Sequence, residues 1–558
     1  MCDDPKKDLD SQDIQDIQDL KLYKFTPEFI QHLYKINPKY IHITNIVIAL
    51  SSIIMSLSRI HSVALLGLDA VPVEVEVDVR GSDKTFFVIV GLPDNAVRES
   101  KDRVLTAVKN SKFNATNIAC TVNLAPSNLK KEGAIYDLPI ALGLLRALEI
   151  FETTILDKYI IVGELGLSGE LRPIQGALAS AMLAKETGKA GILLPFANAH
   201  EAAALSGISV IPIRHLTDAV AFLKNPSSIQ PLLHTLSSDL FSHTPPLIDF
   251  SDIKGQAHVK RAMEIAAAGN HNVVLSGPPG SGKTMLAKAL AGIMPELTVE
   301  EALEITKIHS IGGLLKEGES VVTQRPFRSP HHTVSYAGLI GGGAYPRPGE
   351  VSLAHRGILF LDELPEFSRS VLEVLRQPLE DRHVTISRAQ GHFTFPSDFI
   401  CVAAMNPCPC GYLGHPDKPC KDTQMQIDRY RSRISGPLWD RIDMHIEVPA
   451  LRYADITQKT SAENSKTIRN RVKDVRKKQH ERFGVPKTNS QMNARELKQH
   501  CALTADCHEI MRRAIDVVGI SARACDRLLR VALTIADLSG ATSISRDHLM
   551  EALAYRQF

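Results

Sequence analysis

The residues with the clearest chemical assignment form one contiguous run, Gly277-Pro278-Pro279-Gly280-Ser281-Gly282-Lys283-Thr284. It follows a short apolar stretch, residues 272–276, and leads into the helix-favouring residues 285–292. The spacing is that of a phosphate-binding loop in its strand–loop–helix setting. Glycines let backbone N–H groups turn inward around phosphate oxygens, and a helix N-terminus adds a positive dipole. The Lys283 ammonium suits the β- and γ-phosphates, and the Thr284 hydroxyl suits Mg²⁺. A second run, Gly357 to Glu363, reads as four buried apolar residues followed by two carboxylates. At the carboxyl end of a parallel strand, Asp362 is expected to hold Mg²⁺ and Glu363 to act as general base on water. A third apolar strand, residues 399–404, ends in Met405-Asn406. Asn406 has two readings: it orients the attacking water, or it is a turn residue.

Three of the nine cysteines, Cys408, Cys410 and Cys420, fall within thirteen residues. Nine in a chain this long do not make a disulfide framework, so the group reads as a metal or redox cluster in a reducing compartment. Tetrahedral zinc needs a fourth ligand, for which Asp422 and His415 compete. Structural zinc is the leading expectation, with free thiols and redox switching as alternatives.

These groups must be carried by a folded scaffold. The 558 residues are 44% hydrophobic and 23% charged, ordinary globular usage. Lys+Arg 64 against Asp+Glu 62 leaves +2, so any basic surface is local. No stretch has the length and apolarity of a membrane span, and a cytoplasmic protein is expected. Residues 1–54 begin with an acidic, low-complexity repeat and read as an extension, with Met55 as the expected native start and a genuine flexible tail as the alternative. Residues 55–223 alternate strand and helix patterns: strands over 71–79, 86–90, 120–124 and 159–162, and helices over 94–110, N-capped by Asp94, and 139–148. Residues 224–248 are rich in Pro and Ser and read as a linker. Residues 249–450 form an α/β unit carrying the motifs, and 451–558 read as helical. The basic run 466–482 reads as a solvated helix face, with duplex binding as the lesser reading.

The motif order resembles an AAA+ ATPase. Several stretches are similar to the magnesium-chelatase-like ComM/YifB family: M-S-L-S-R-I-H-S at Met55, V-G-L-P-D-N-A-V-R-E-S-K-D-R-V at Val90, R-P-F-R-S-P-H-H-T-V-S at Arg325, N-P-C-P-C-G-Y at Asn406 and R-Y-R-S-R-I-S-G-P-L-W-D-R-I-D at Arg429. The resemblance runs from Met55 to the C-terminus. It implies ATP and Mg²⁺ as cofactors and a homo-hexameric motor acting on single-stranded or branched DNA. It makes Arg441 an arginine finger reaching the neighbouring subunit, against a surface ion pair with Asp440 or Asp443 as the alternative. It makes Arg523 the second sensor on the lid, with Arg527 as runner-up. Residues 382–395 match the hairpin that points into the ring pore, which makes Arg388 near its tip, and Arg382 at its base, candidate DNA contacts. A second insert, beginning at Arg325 and ending in Gly341 to Gly343, carries Arg328, His331 and His332, read equally as contacts or as buried structural residues. The family usually has C-x-C at the second cysteine pair, where this chain has Cys420-Lys421-Asp422.

Residues 123–143 and 162–177 resemble the proteolytic domain of Lon proteases. The resemblance puts Ile135 where the nucleophilic serine belongs and Leu178 where the lysine belongs, and neither side chain can act as nucleophile or base. A multidomain α/β chain follows: a Lon-like α+β domain without peptidase activity, an AAA+ domain and a helical lid. The expected activity is DNA translocation or branch migration of recombination intermediates, as in natural transformation. A chelatase-type motor without DNA is the alternative.

Overall fold

The computed structural model describes residues 57–234, 241, 248–316, 318–343, 346–388, 391–450, 463–517 and 519–556. The N-terminal extension and residues 235–240 and 242–247 of the expected linker lie outside the described residues.

The first domain is a seven-stranded mixed sheet, in the spatial order Phe86–Val90, Ile118–Ala125, Asp69–Gly81, Ser58–Leu66, Tyr159–Ile161, Gly191–Pro195, Ser209–Ile213. The valine–acid alternation works as period-2 patterning demands. Val73, Val75 and Val77 are fully buried, while Glu74 and Glu76 face Arg59 on the neighbouring strand at 3.3 and 3.5 Å. Asp94 caps helix Asn95–Asn110 by accepting the Val97 N–H at 2.8 Å. Ile135 packs against the core, and Leu178 is fully buried within it. The expected linker is shorter than its composition suggests. Leu232 pairs with Val210, which keeps residues up to 234 on this domain.

The second domain holds a parallel five-stranded sheet ordered Phe327–Arg328, Ile358–Leu361, Ile400–Met405, Val273–Ser276, Met444–Glu447. The strand ending in Asn406 therefore lies between the phosphate-loop strand and the acidic strand. All three are buried throughout, as their continuous apolar runs require. Helices Ala257–Gly269 and Lys283–Ile293 join the lid in one apolar cluster. The basic helix Ser465–Phe483 is not a free solvated face. Ile468, Val472 and Val475 pack inward, Arg469 donates to the Gly292 carbonyl at 2.7 Å, and Arg476 donates to the Ala267 carbonyl at 2.7 Å.

The two domains are joined by specific contacts. Ser310 donates to Glu201 at 2.5 Å and accepts the Gly176 N–H at 2.9 Å, and Lys307 pairs with Asp69 at 2.7 Å. The turn at Gly67 lies against Phe393 of the hairpin, and Leu68 shares an apolar cluster with that ring.

One buried ion pair fixes the lid. Asp443, 2% exposed, lies 2.6 Å from Arg527 on helix Ala522–Leu538 and 3.7 Å from His271, and accepts the Asn272 N–H at 2.8 Å. Burial alone would raise the Asp443 pKa, but Arg527, His271 and the Asn272 amide outweigh it and hold the carboxyl well below the ordinary range. Because its folded pKa is depressed, Asp443 contributes stability above the unfolded pKa near about 3.9 and loses it as pH falls further. Asp443→Asn is expected to cost about 3–5 kcal/mol at neutral pH by stranding Arg527. The gap in Tm between wild type and variant should narrow in thermal melts below about pH 4.

Candidate functional site

The carboxyl ends of the parallel strands gather the expected nucleotide residues. Lys283 Nζ donates to the carbonyls of Gly277 at 2.7 Å and Pro278 at 3.0 Å, with Asn406 Oδ1 at 3.4 Å. Burial lowers the Lys283 pKa, opposed by the Asp362 carboxylate. Thr284 Oγ1 donates to Asp362 Oδ2 at 3.1 Å, which sets the expected magnesium ligands side by side. Glu363 follows in the left-handed region at φ 52°, a strained setting for a non-glycine residue that costs roughly 1 kcal/mol. Its side chain is 61% exposed.

The loop fits a triphosphate. Gly280 and Gly282 take φ of 78° and 89°, and a Cβ at either would meet open space. Gly277 by contrast is pressed against the Val448 carbonyl, 2.2 Å from where a Cβ would sit. Ser281 Oγ is buried with no hydrogen-bond partner. Gln256 seats the loop from behind, donating to the Ser281 carbonyl at 3.0 Å and the Pro449 carbonyl at 3.2 Å.

Sequence reasoning did not connect His332 with Glu363. Its Nδ1 lies 3.6 Å from Glu363 Oε2, and its ring stacks on His331 at 4.1 Å and meets Phe367 edge-on at 6.4 Å. The paired histidines drew attention in the sequence, but nothing local ties them to an acid thirty residues on.

Arg441 and Arg523 are brought together, but not at this end of the sheet. Both line a cavity of ≈ 290 Å³ that also contains Arg382, Arg527 and Arg530, with Glu380, Asp440 and Asp526 among its carboxylates. Asn272 and Asp443, which also line it, immediately precede strands Val273–Ser276 and Met444–Glu447. The cavity is therefore at the amino ends of strands whose carboxyl ends carry the phosphate loop. Arg441 is 7% exposed, pairs with Glu380 rather than with Asp440 or Asp443, and donates to the Pro437 carbonyl at 2.7 Å. Arg523, on the lid, therefore lies at the edge of the sheet away from the phosphate loop. Arg527, the alternative sensor, is committed to Asp443.

Two of the three expected DNA contacts are engaged with carboxylates in this structure. Arg382 is pinned at the hairpin base, donating to Asp398 at 2.6 Å and Ser490 at 3.2 Å. Arg328 makes a two-pronged pair with Glu350 at 2.6 and 2.7 Å, the structural alternative. Both arginines meet carboxylates brought in by distant segments. Arg388 ends the first strand of the hairpin, His383–Arg388 paired with Gly391–Pro396. Its guanidinium lies beside Gly342, 3.4 Å from where a Cβ would sit, so the two inserts are neighbours.

The cysteines converge. Cys408, Cys410 and Cys420 sulfurs are 3.4–3.6 Å apart, and Asp422 joins them. His415 does not: its Nδ1 accepts the amides of Asp417 and Lys418, each at 3.1 Å.

Comparison with known proteins agrees with this architecture. Residues 249–456 match the family model described as magnesium chelatase, subunit ChlI; residues 73–198 match subunit ChlI of Mg-chelatase; and residues 462–556 match the ChlI C-terminal family. The chain is 42% identical to an uncharacterised protein, YifB, of Salmonella typhimurium, over 90% of this chain and 97% of that one. It is 42% identical to the competence protein ComM of Haemophilus influenzae, over 90% and 98%. It is 38% identical to an uncharacterised protein of Mycobacterium tuberculosis, over 90% and 99%. The N-terminal match is to the chelatase family and leaves the Lon-like likeness an expectation.

Lys283→Ala is expected to abolish Mg-ATP binding in calorimetry. Glu363→Gln should retain binding and lower kcat by about 10²–10⁴-fold, and His332→Ala should lower kcat more than it alters nucleotide affinity. With three successive family matches and relatives 42% identical over 90% of this chain, the protein belongs to the ComM/YifB family of magnesium-chelatase-like AAA+ ATPases.

Proposed function

We propose that the chain is an ATP-driven homo-hexameric DNA motor that moves branched or single-stranded recombination intermediates. The observation that carries the reading is the separation of Lys283, Thr284, Asp362 and Glu363 from the Arg441–Arg523 cavity, at opposite ends of one parallel sheet. A site split in this way is completed by a head-to-tail neighbour, and such contacts form a ring where the rotation between neighbours closes. In the ring, Arg441 exchanges Glu380 for the neighbour's γ-phosphate, and Arg523 enters the same interface.

Within one site the loop residues Gly277 to Thr284 would hold ATP, and Thr284 with Asp362 its magnesium, which neutralises phosphate charge. Lys283 leaves the loop carbonyls for phosphate oxygens. Glu363 accepts the proton of the attacking water, His332 holds the Glu363 carboxylate, and Asn406 orients the water. The cycle is transmitted to the hairpin, whose Arg388 grips DNA phosphates without reading sequence. The Haemophilus relative's name as a competence protein supports an assignment to DNA taken up in natural transformation. The cytoplasm, where such DNA is processed, is the corresponding location.

A second reading follows from the family models, all three of which are named for a magnesium chelatase subunit. In it the same ATPase drives metal insertion or remodels a protein partner and is indifferent to DNA.

ATP hydrolysis measured with and without single-stranded and forked DNA separates the two, with Glu363→Gln as the blank. DNA stimulation that falls in Arg388→Ala supports the motor; an active ATPase unmoved by DNA transfers the assignment to the second reading. Arg441→Ala should lower kcat by about 10³-fold or more. Mixing inactive Arg441→Ala and inactive Glu363→Gln chains should restore part of the activity, because one mixed interface recovers both groups. No recovery would count against sites shared between subunits.

A further inference from the structure

We propose that Cys408, Cys410, Cys420 and Asp422 bind one zinc ion that clamps the phosphate loop. Zinc–sulfur bonds of about 2.3 Å place tetrahedral sulfurs about 3.8 Å apart. The three sulfurs here are 3.4, 3.6 and 3.6 Å apart, far beyond the roughly 2.05 Å of a disulfide. Asp422 supplies the fourth ligand: the four ligand atoms lie within 4.8 Å of one another, with Asp422 Oδ2 at 3.8 Å from Cys420 Sγ. The same oxygen accepts the Cys410 N–H at 2.8 Å, which orients the carboxylate as a metal ligand's outer contacts do. Three soft thiolates and one carboxylate in a closed set suit zinc in a structural role.

The position gives the site its consequence. Cys408, fully buried, is two residues beyond Asn406, whose Oδ1 lies 3.4 Å from Lys283 Nζ. Gly411, at φ 81°, closes on the phosphate loop so tightly that a Cβ would lie 2.8 Å from Pro279 Cδ. Asp422 immediately precedes Thr423, the cap of helix Gln424–Arg431, and Arg431 reaches back to the Pro407 carbonyl at 3.4 Å. One ion thus ties the end of the central strand Ile400–Met405 to the start of that helix and holds the intervening turn against Pro279. The clamp rests on the nucleotide-site reading; the metal site does not.

The test uses the full chain expressed in zinc-supplemented medium and purified without chelator. Elemental analysis should find about one zinc per chain, and Cys420→Ser and Asp422→Ala should lose most of it. Asp422→Cys should keep the metal and release it more slowly to a chromogenic chelator. Cobalt-loaded protein should show thiolate charge-transfer and tetrahedral d–d absorption, both lost in Cys420→Ser. Wild-type protein free of metal, cobalt bands that survive Cys420→Ser, or a disulfide found by thiol titration before and after reduction would each overturn the site. Zinc removal should weaken binding of a fluorescent ATP analogue about tenfold or more, with recovery on zinc addition. Unchanged affinity overturns the clamp. If metal-loaded wild type binds no analogue at all, the nucleotide reading fails while the metal content still decides the site.

Discussion

The parallel direction of the five-stranded sheet is the constraint on which the rest depends. Parallel strands send all their carboxyl ends to one edge, so the phosphate loop, Asp362 and Asn406 share that edge although they are far apart in sequence. The same rule sends residues that precede strands, Asn272 and Asp443, to the opposite edge. Asp443 then recruits Arg527 and seats the lid helix there, which is why Arg441 and Arg523 meet in one cavity away from the loop. Strand direction thus separates the two groups of residues to opposite edges of one sheet.

The first domain is coupled to the ATPase rather than tethered to it. Glu201, 4% exposed, is held by Ser310 and by the Leu178 amide, and burial raises its pKa against those hydrogen bonds. Leu68 and Ala179 share an apolar cluster with Phe393 of the hairpin. The hairpin is therefore packed against this domain rather than free of it.

Among the described residues, several arginines are engaged internally. Arg325 pairs with Glu301, Arg328 with Glu350, Arg356 with Glu304 and Asp398, and Arg382 with Asp398, and Arg469 and Arg476 cap helix carbonyls. These pairs serve as struts for the inserts and the lid. Arg388 differs, because it lies at the hairpin end beside glycines.

Features that depend on neighbours in the chain are legible in the residues alone. The phosphate loop, the Asp94 cap, the valine–acid strand and the hairpin are set by contiguous residue types and periodicity, and each lies within a few residues of where its pattern puts it. The three cysteines are grouped in the same way, since thirteen residues can close on one ion. Which charges are paired depends on the folded arrangement of distant segments. Arg382 and Arg328 look like available cations in a one-dimensional reading, and each is taken by a carboxylate from another segment. The approach of His332 to Glu363 and the choice of Asp422 over His415 were decided in the same way. An ion pair or a ligand set depends on distance in space, which strand order and helix packing fix, and local residue patterns carry no record of it.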